Sequence, residues 1–259
     1  MISKFFYLIG KSSIDFISGL GNYTIFQLKI LPLFFKSPFR IKQLFEQINF
    51  MGFGSLGVIF LTSFFTGLVE AVQLYNGFHK FGVEDFMGYT VFISICKELG
   101  PVFAALMVVS RGISAYAAEL GSMRVTEQID ALDVMAVDSK QYLIIPRILG
   151  TIISLPILIL FFDAVANIGA YLISVYALDV NGYNYLENIK QFGEIGDFKE
   201  GIIKGIVFAY LISSVGTYIG YNTRGGAKGV GISTTKAVVI SSILIFVADY
   251  IVSAMFLIF

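Results

Sequence analysis

The chain has 259 residues, of which 56% are hydrophobic and 14% are charged, and its mean hydropathy is +0.80. A soluble domain is roughly 45–50% apolar and about 25% charged, so this composition argues against a soluble protein and predicts a membrane protein. Lys plus Arg and Asp plus Glu number 18 each, so we expect no nucleic-acid partner, which would need a basic surface. A single cysteine, Cys96, excludes an internal disulfide and argues against a zinc site.

Residues 1–46 are predicted to be an N-terminal segment that does not span the membrane, because basic residues and two prolines divide it. At its end, Ile41, Leu44, Phe45 and Ile48 recur at the spacing of one helix face, and polar residues take the other face. This pattern predicts helices that lie in the membrane interface. A helix packed on the protein's own spans fits the same pattern, and the two alternatives are compatible.

Residues 47–259 are predicted to form one transmembrane domain. A helix that crosses ~30 Å of hydrocarbon needs about 20 mostly apolar residues. Five stretches meet this requirement: 47–69, 86–118, 148–178, 205–223 and 237–259. The expected fold class is therefore all-α, a polytopic membrane protein with N-terminal interfacial amphipathic helices and five transmembrane helices.

The distribution of Lys and Arg predicts the orientation of these spans. Thirteen of these basic residues lie in three segments, 1–46, 111–147 and 222–236. Short segments rich in Lys and Arg stay in the cytoplasm. With five spans, the N-terminus is then cytoplasmic and the C-terminus is on the opposite, periplasmic side.

A short amphipathic helix is predicted between the second and third spans, over about 124–136. Its apolar side chains share one helix face: Val125, Ile129, Leu132 and Ala136. Three acidic side chains lie outside that face: Glu127, Asp130 and Asp133. Taken alone, this pattern fits a solvated helix packed on the bundle, or a surface that docks on another subunit.

The most informative motifs surround this helix. They are KELGP (97–101), AAELGSMRVTEQIDAL (117–132), MAVD (135–138), Pro146-Arg147 and GYNTRGGAKGVGISTTKAVV (220–239). In this order, and with the five-span layout, they closely resemble the MlaE/YrbE permease family of MCE-type ABC lipid transporters. The resemblance covers essentially the whole chain.

The resemblance implies a homodimer in the bacterial cell inner membrane that moves phospholipid to or from a periplasmic MCE-domain protein and contributes to outer-membrane lipid homeostasis. It also implies a cytoplasmic ABC ATPase subunit, which binds ATP and Mg, and allows a small cytoplasmic STAS-type accessory subunit. The chain itself contains no G-x-x-x-x-G-K-[ST] motif. We therefore expect a transport subunit without catalytic residues, metal site or cofactor of its own.

The resemblance assigns the helix over 124–136 to ATPase coupling. The residues expected to carry that contact are Arg124, Glu127, Gln128, Asp130, Leu132 and Met135.

Ionisable residues inside spans are costly in lipid and are functional candidates. Lys97 and Glu98 are adjacent on the second span, whereas Glu70 departs from the family pattern and could pair with Lys97 or reach water on the outer side. We expect a central cavity between two copies, with apolar walls for acyl chains and polar groups for a headgroup. Its expected lining is Glu70, Leu74, Phe78, Phe81, Lys97, Glu98 and Met255.

Two further acids, Asp163 and Asp249, interrupt the third and fifth spans. We expect them to form buried hydrogen bonds between helices. The alternative function is an ion-coupled secondary transporter that uses Glu98 and these two acids as a relay. Against it, five spans do not divide into matching halves. A scaffold that only anchors partners would leave the intramembrane charges unexplained.

Overall fold

The structure is a computed structural model that describes residues 2–258. Every regular element in this part of the chain is a helix, which confirms the all-α class. The α-helices are α1 (Ile2–Ile30), α2 (Ile41–Met51), α3 (Leu56–Phe78), α4 (Met87–Ser94), α5 (Gly100–Val108), α6 (Ser114–Val125), α7 (Gln128–Val134), α8 (Ser139–Leu143), α9 (Ile145–Tyr176), α10 (Gly182–Phe192), α11 (Ile195–Tyr221) and α12 (Gly226–Ile258). Phe259, the predicted end of the last span, lies outside the described residues.

Five helical segments are long and apolar enough to cross a membrane, as predicted. In chain order, the first to fifth spans are Ile41–Phe81, Met87–Val125, Ser139–Tyr176, Ile195–Tyr221 and Gly226–Ile258. We call the end of the bundle where the fourth span begins and the fifth span ends the outer end. The opposite end is called the inner end.

The first span begins earlier than the sequence predicts. Helix α2 continues through one 3₁₀ turn, Phe53–Ser55, into α3, so the predicted segment boundary at residues 46 and 47 falls inside α2. Arg111 of the second span stabilises this junction, because its guanidinium donates a 2.6 Å hydrogen bond to the Phe50 carbonyl near the C-terminal end of α2. Carbonyl groups at a helix C-terminus carry partial negative charge and favour a cation.

The N-terminal helices pack on the bundle and still expose apolar side chains. The Tyr23 hydroxyl of α1 lies 2.7 Å from Ser214 Oγ on the fourth span. Helix α2 packs against α9, yet its Ile41 and Phe45 side chains are largely exposed. Packing on the protein's own spans is therefore observed, and an apolar face remains for the predicted interfacial placement.

The third span lies at the centre of the bundle, where its α9 helix packs against α2, α3, α5 and α11. Leu155, Ile159 and Phe162 of α9 are fully buried. The first and fifth spans are the least buried, and large apolar side chains such as Phe65 and Phe246 project from them. Such a surface requires lipid or another chain to cover it.

Two π-helical turns, Ile95–Leu99 and Val109–Ile113, interrupt the second span. Three charged residues of this span lie in these turns: Lys97, Glu98 and Arg111. A π turn inserts a residue into the α-helical register and often marks a functional site. The first of these turns lies near the outer end and organises the site described next.

Candidate functional site

A cluster of six ionisable side chains joins the second, fourth and fifth spans near the outer end of the bundle. Its members, here called the charged cluster, are Lys97, Glu98, Asp197, Glu200, Lys204 and Asp249. The sequence analysis singled out only three of them as intramembrane charges.

Lys97 pairs with the fourth span. Its ammonium lies 3.0 Å from Asp197 Oδ1 and 3.5 Å from Glu200 Oε2, and both carboxylates are buried. Asp197 is held in place by the start of α11, because its other oxygen accepts a 3.0 Å hydrogen bond from the backbone N–H of Glu194. The side chain of Lys97 itself is 32% exposed.

Lys204 is the centre of the charged cluster, and its side chain is fully buried. Its ammonium lies 2.9 Å from Glu98 Oε2, 3.1 Å from Asp249 Oδ1 and 3.6 Å from Glu200 Oε1. It also donates a 2.7 Å hydrogen bond to the Lys97 carbonyl in the first π turn. Glu200 therefore bridges the two lysines, one with each carboxylate oxygen.

A glycine lets the fourth span approach the π turn closely enough to form these pairs. A Cβ at Gly201 would lie 2.5 Å from the backbone oxygen of Cys96, closer than real Cβ contacts. Only glycine therefore permits this approach without a shift of the backbone. The neighbouring Glu200 is thereby positioned between the two spans.

The structure does not pair the predicted residues with each other. Glu98 contacts Lys204 rather than Lys97, and its second oxygen accepts a 3.1 Å hydrogen bond from Ser253 of the fifth span. Glu70 accepts a 2.9 Å hydrogen bond from Ser94 instead of pairing with Lys97 within this chain. The polar residues expected to line a cavity therefore have partners other than the ones expected for them.

The expected apolar lining is divided between two sides of the chain. Leu74 packs against the core, Phe78 is half-buried, and Phe81 is 81% exposed at the end of the first span. Met255 of the fifth span is also largely exposed. Helix α3 packs mainly on α9, whereas α12 packs mainly on α11 and α6. These residues therefore do not enclose one cavity within a single chain.

Three members of the charged cluster were not predicted from the sequence: Asp197, Glu200 and Lys204. The predicted fourth span began at residue 205, so all three residues fell outside it. The spacing of two of them was a signal in the sequence. Glu200 and Lys204 lie four positions apart and therefore share a helix face.

Asp163 and Asp249, the acids that interrupt the third and fifth spans, have different surroundings. Asp249 joins the fifth span to the fourth through Lys204, and this contact is an ion pair rather than the expected hydrogen bond. Asp163 is 3% exposed, and its Oδ1 has no hydrogen-bond partner among the described residues. That oxygen packs against Gly100, where a Cβ would collide with it. The hydrogen bond expected for this oxygen is therefore not observed.

At the inner end, the helix predicted over 124–136 is shorter and spans Gln128–Val134. It is separated from α6 because Glu127 adopts a left-handed conformation, with φ of 59°. Ile129 is buried and Leu132 packs against the same apolar cluster, which includes Leu143 and Ile148, as the predicted face requires. Ala136, placed on the same face by the sequence, is exposed beyond the end of the helix.

Arg124 attaches α7 to the bundle. Its guanidinium lies 2.6 Å from Asp130 Oδ1 and donates a 2.9 Å hydrogen bond to the Tyr221 carbonyl at the end of the fourth span. The remaining predicted coupling residues, Glu127, Gln128 and Met135, are exposed. Val134, which the sequence analysis did not single out, is 88% exposed beside them. The result is an outward surface with acidic and apolar side chains.

Comparison with known proteins identifies the family. The family model described as Permease MlaE matches residues 44–255. A probable ABC transporter permease protein of Rickettsia bellii (strain RML369-C) is 42% identical over 248 residues, which cover 96% of each chain. The intermembrane phospholipid transport system permease protein MlaE of Haemophilus influenzae is 32% identical over 259 residues, which cover 98% of each chain. TRIGALACTOSYLDIACYLGLYCEROL 1, a chloroplast protein of Arabidopsis thaliana, is 36% identical over 85% of this chain and 63% of its own.

Proposed function

The chain belongs to the MlaE permease family, and from this membership we propose that it is the permease subunit of an ATP-driven phospholipid transporter. In this proposal it acts between the inner membrane and a periplasmic MCE-domain partner, and it contributes to outer-membrane lipid homeostasis. The Haemophilus relative is named as a permease of intermembrane phospholipid transport, which supports the choice of substrate class.

The observation that carries this proposal is the charged cluster in an otherwise apolar bundle. A phospholipid needs polar contacts for its headgroup and apolar walls for its acyl chains. Glu98 and Lys97 are the members whose side chains are most exposed, at 47% and 32%. Exposed apolar side chains of the fifth span, including Tyr250 and Met255, lie close to Asp249 and Ser253 in sequence. Polar and apolar parts of a lipid site thus meet at the outer end.

A homodimer would complete this site. The apolar part of the proposed lining is divided between the first and fifth spans, which are also the two least buried. A second copy facing these spans would bring Leu74, Phe78 and Phe81 of one chain towards Met255 of the other. It would also cover apolar surface that a single chain leaves exposed.

The surface of α7 is the proposed contact with a separate ATPase subunit, which would bind ATP and Mg. The exposed side chains of Glu127, Val134 and Met135 lie at the two ends of this short helix, and Arg124 links the helix to the end of the fourth span. Movement of a bound subunit would therefore be transmitted directly to that span. A STAS-type accessory subunit, if present, would join the complex at the cytoplasmic side.

The proposal is tested by reconstitution in proteoliposomes. The purified chain is combined with an ABC ATPase and an MCE-domain protein encoded by the same organism, and transfer of a labelled phospholipid is measured. We expect transfer that requires hydrolysable ATP and continues when a protonophore collapses the pH gradient. Transfer that follows the proton gradient without ATP would contradict the proposal and support the ion-coupled alternative.

A further inference from the structure

We infer that the charged cluster selects phospholipids whose headgroup carries an ammonium group over phospholipids whose headgroup is anionic. This inference rests on the proposed function and specifies the substrate class of that site. It is carried by the balance of charge, by the supply of hydrogen-bond donors and by the exposure of each member of the charged cluster.

The charged cluster contains more carboxylates than ammonium groups. Four carboxylates surround two lysines, which leaves two formal negative charges when all six groups are ionised. Both lysines already contact carboxylates: Lys97 contacts two and Lys204 contacts three. An anionic headgroup would therefore approach a site whose positive charges are already compensated. A cationic group would reduce the excess of negative charge.

Hydrogen-bond donors are also in short supply around Lys204. An ammonium group has three N–H donors, whereas four oxygen atoms lie around this one, from Lys97, Glu98, Glu200 and Asp249. Asp249 Oδ1 is a buried atom, and its 3.1 Å contact with the Lys204 nitrogen is one of the ion pairs that share this ammonium group. The Glu98 carboxylate, whose side chain is 47% exposed, is therefore the acceptor that an additional N–H donor can reach.

The exposure of the side chains shows which charge a headgroup meets first. The Glu98 side chain is 47% exposed, whereas the side chain of Lys204, which neutralises it, is fully buried. The accessible charge on this side of the cluster is therefore a carboxylate. The Lys97 side chain is 32% exposed and can offer an N–H group to the phosphate of the same lipid. A zwitterionic headgroup thus matches both signs of charge.

The magnitude follows from the strength of one charge-assisted hydrogen bond. One such bond changes affinity by about tenfold or more. We therefore expect the wild-type protein to prefer phosphatidylethanolamine to phosphatidylglycerol about tenfold when the acyl chains are identical.

The test is a competition in proteoliposomes made with equal amounts of these two phospholipids. The chain is reconstituted with its ATPase and MCE-domain partners, and the lipids transferred in the presence of ATP are quantified by mass spectrometry. Glu98→Gln and Asp249→Asn, measured separately, should each lower the ratio of phosphatidylethanolamine to phosphatidylglycerol at least threefold. Glu187→Gln, at an exposed acid of α10 outside the charged cluster, is the matched control and should keep the wild-type ratio.

The outcomes separate this inference from the proposed function. ATP-dependent transfer of both lipids in equal amounts, or a preference for phosphatidylglycerol, would overturn the inference and leave the proposed function intact. Absence of ATP-dependent transfer of either lipid would contradict the proposed function itself. A ratio unchanged in both variants, with wild-type transfer rates, would show that the charged cluster does not choose the headgroup.

Discussion

Replacement of Lys204 by methionine removes the positive charge at the centre of the charged cluster and keeps the length of the side chain. Because the Lys204 side chain is fully buried, its loss leaves Glu98 and Asp249 without their cation and removes one of the two cations that Glu200 contacts. Removal of one partner of a buried ion pair typically costs about 3–5 kcal/mol. For a chain of this size we expect the melting temperature to fall by roughly 6–20 °C.

The measurement is thermal unfolding of the detergent-purified protein, followed by size-exclusion chromatography of the folded fraction. Lys199→Met is the matched control, because Lys199 lies on the same helix and is exposed. It should change the melting temperature by no more than about 2 °C. A Lys204→Met protein as stable as this control would refute the central role of Lys204.

A combined variant tests the physical reason for this loss of stability. Glu98→Gln and Asp249→Asn remove two of the charges that Lys204→Met leaves uncompensated. If buried, unpaired charge causes the loss, the triple variant should recover about half of it or more, since neighbouring charged sites are not additive. Additive losses from the three substitutions would instead indicate that packing around the lysine stem is responsible.

Three further predictions concern other parts of the chain. Glu127→Lys combined with Asp130→Lys should reduce lipid-stimulated ATP hydrolysis of the complex while the permease stays folded; normal assembly and hydrolysis would place the coupling surface elsewhere. Gly100→Ala should destabilise the protein by about 1–3 kcal/mol in thermal unfolding, because its methyl group would overlap the buried aspartate of the third span. Gly57→Ala, with open space at the Cβ position, should not destabilise it. A reporter fused to the C-terminus should be periplasmic and one inserted near Lys228 cytoplasmic; finding both on one side would contradict the proposed orientation.

The amino-acid sequence was sufficient to predict the membrane spans and the family, because both depend on composition and on the order of residues along the chain. Long apolar segments predicted five spans, and these were confirmed, because a helix satisfies its backbone hydrogen bonds within one segment wherever it packs. The motifs predicted the family, which the family model confirmed over residues 44–255. Helix α2 runs across the predicted segment boundary at residues 46 and 47, because a charge-free stretch does not show whether a polar helix continues into it.

The partners of the intramembrane charges were decided only by tertiary structure. Lys97 and Glu98 are adjacent in sequence, yet they pair with different residues of the fourth span, because a π turn and the glycine at position 201 bring that span against them. The predicted fourth span began at residue 205 and left Lys204 outside it, although the packing of the second and fifth spans on the fourth buries this side chain completely. The sequence by itself therefore determined that charged residues occupy an apolar bundle. Which charges neutralise one another, and which carboxylate stays accessible, depended on the packing of distant helices, because electrostatic contacts act through space rather than along the chain.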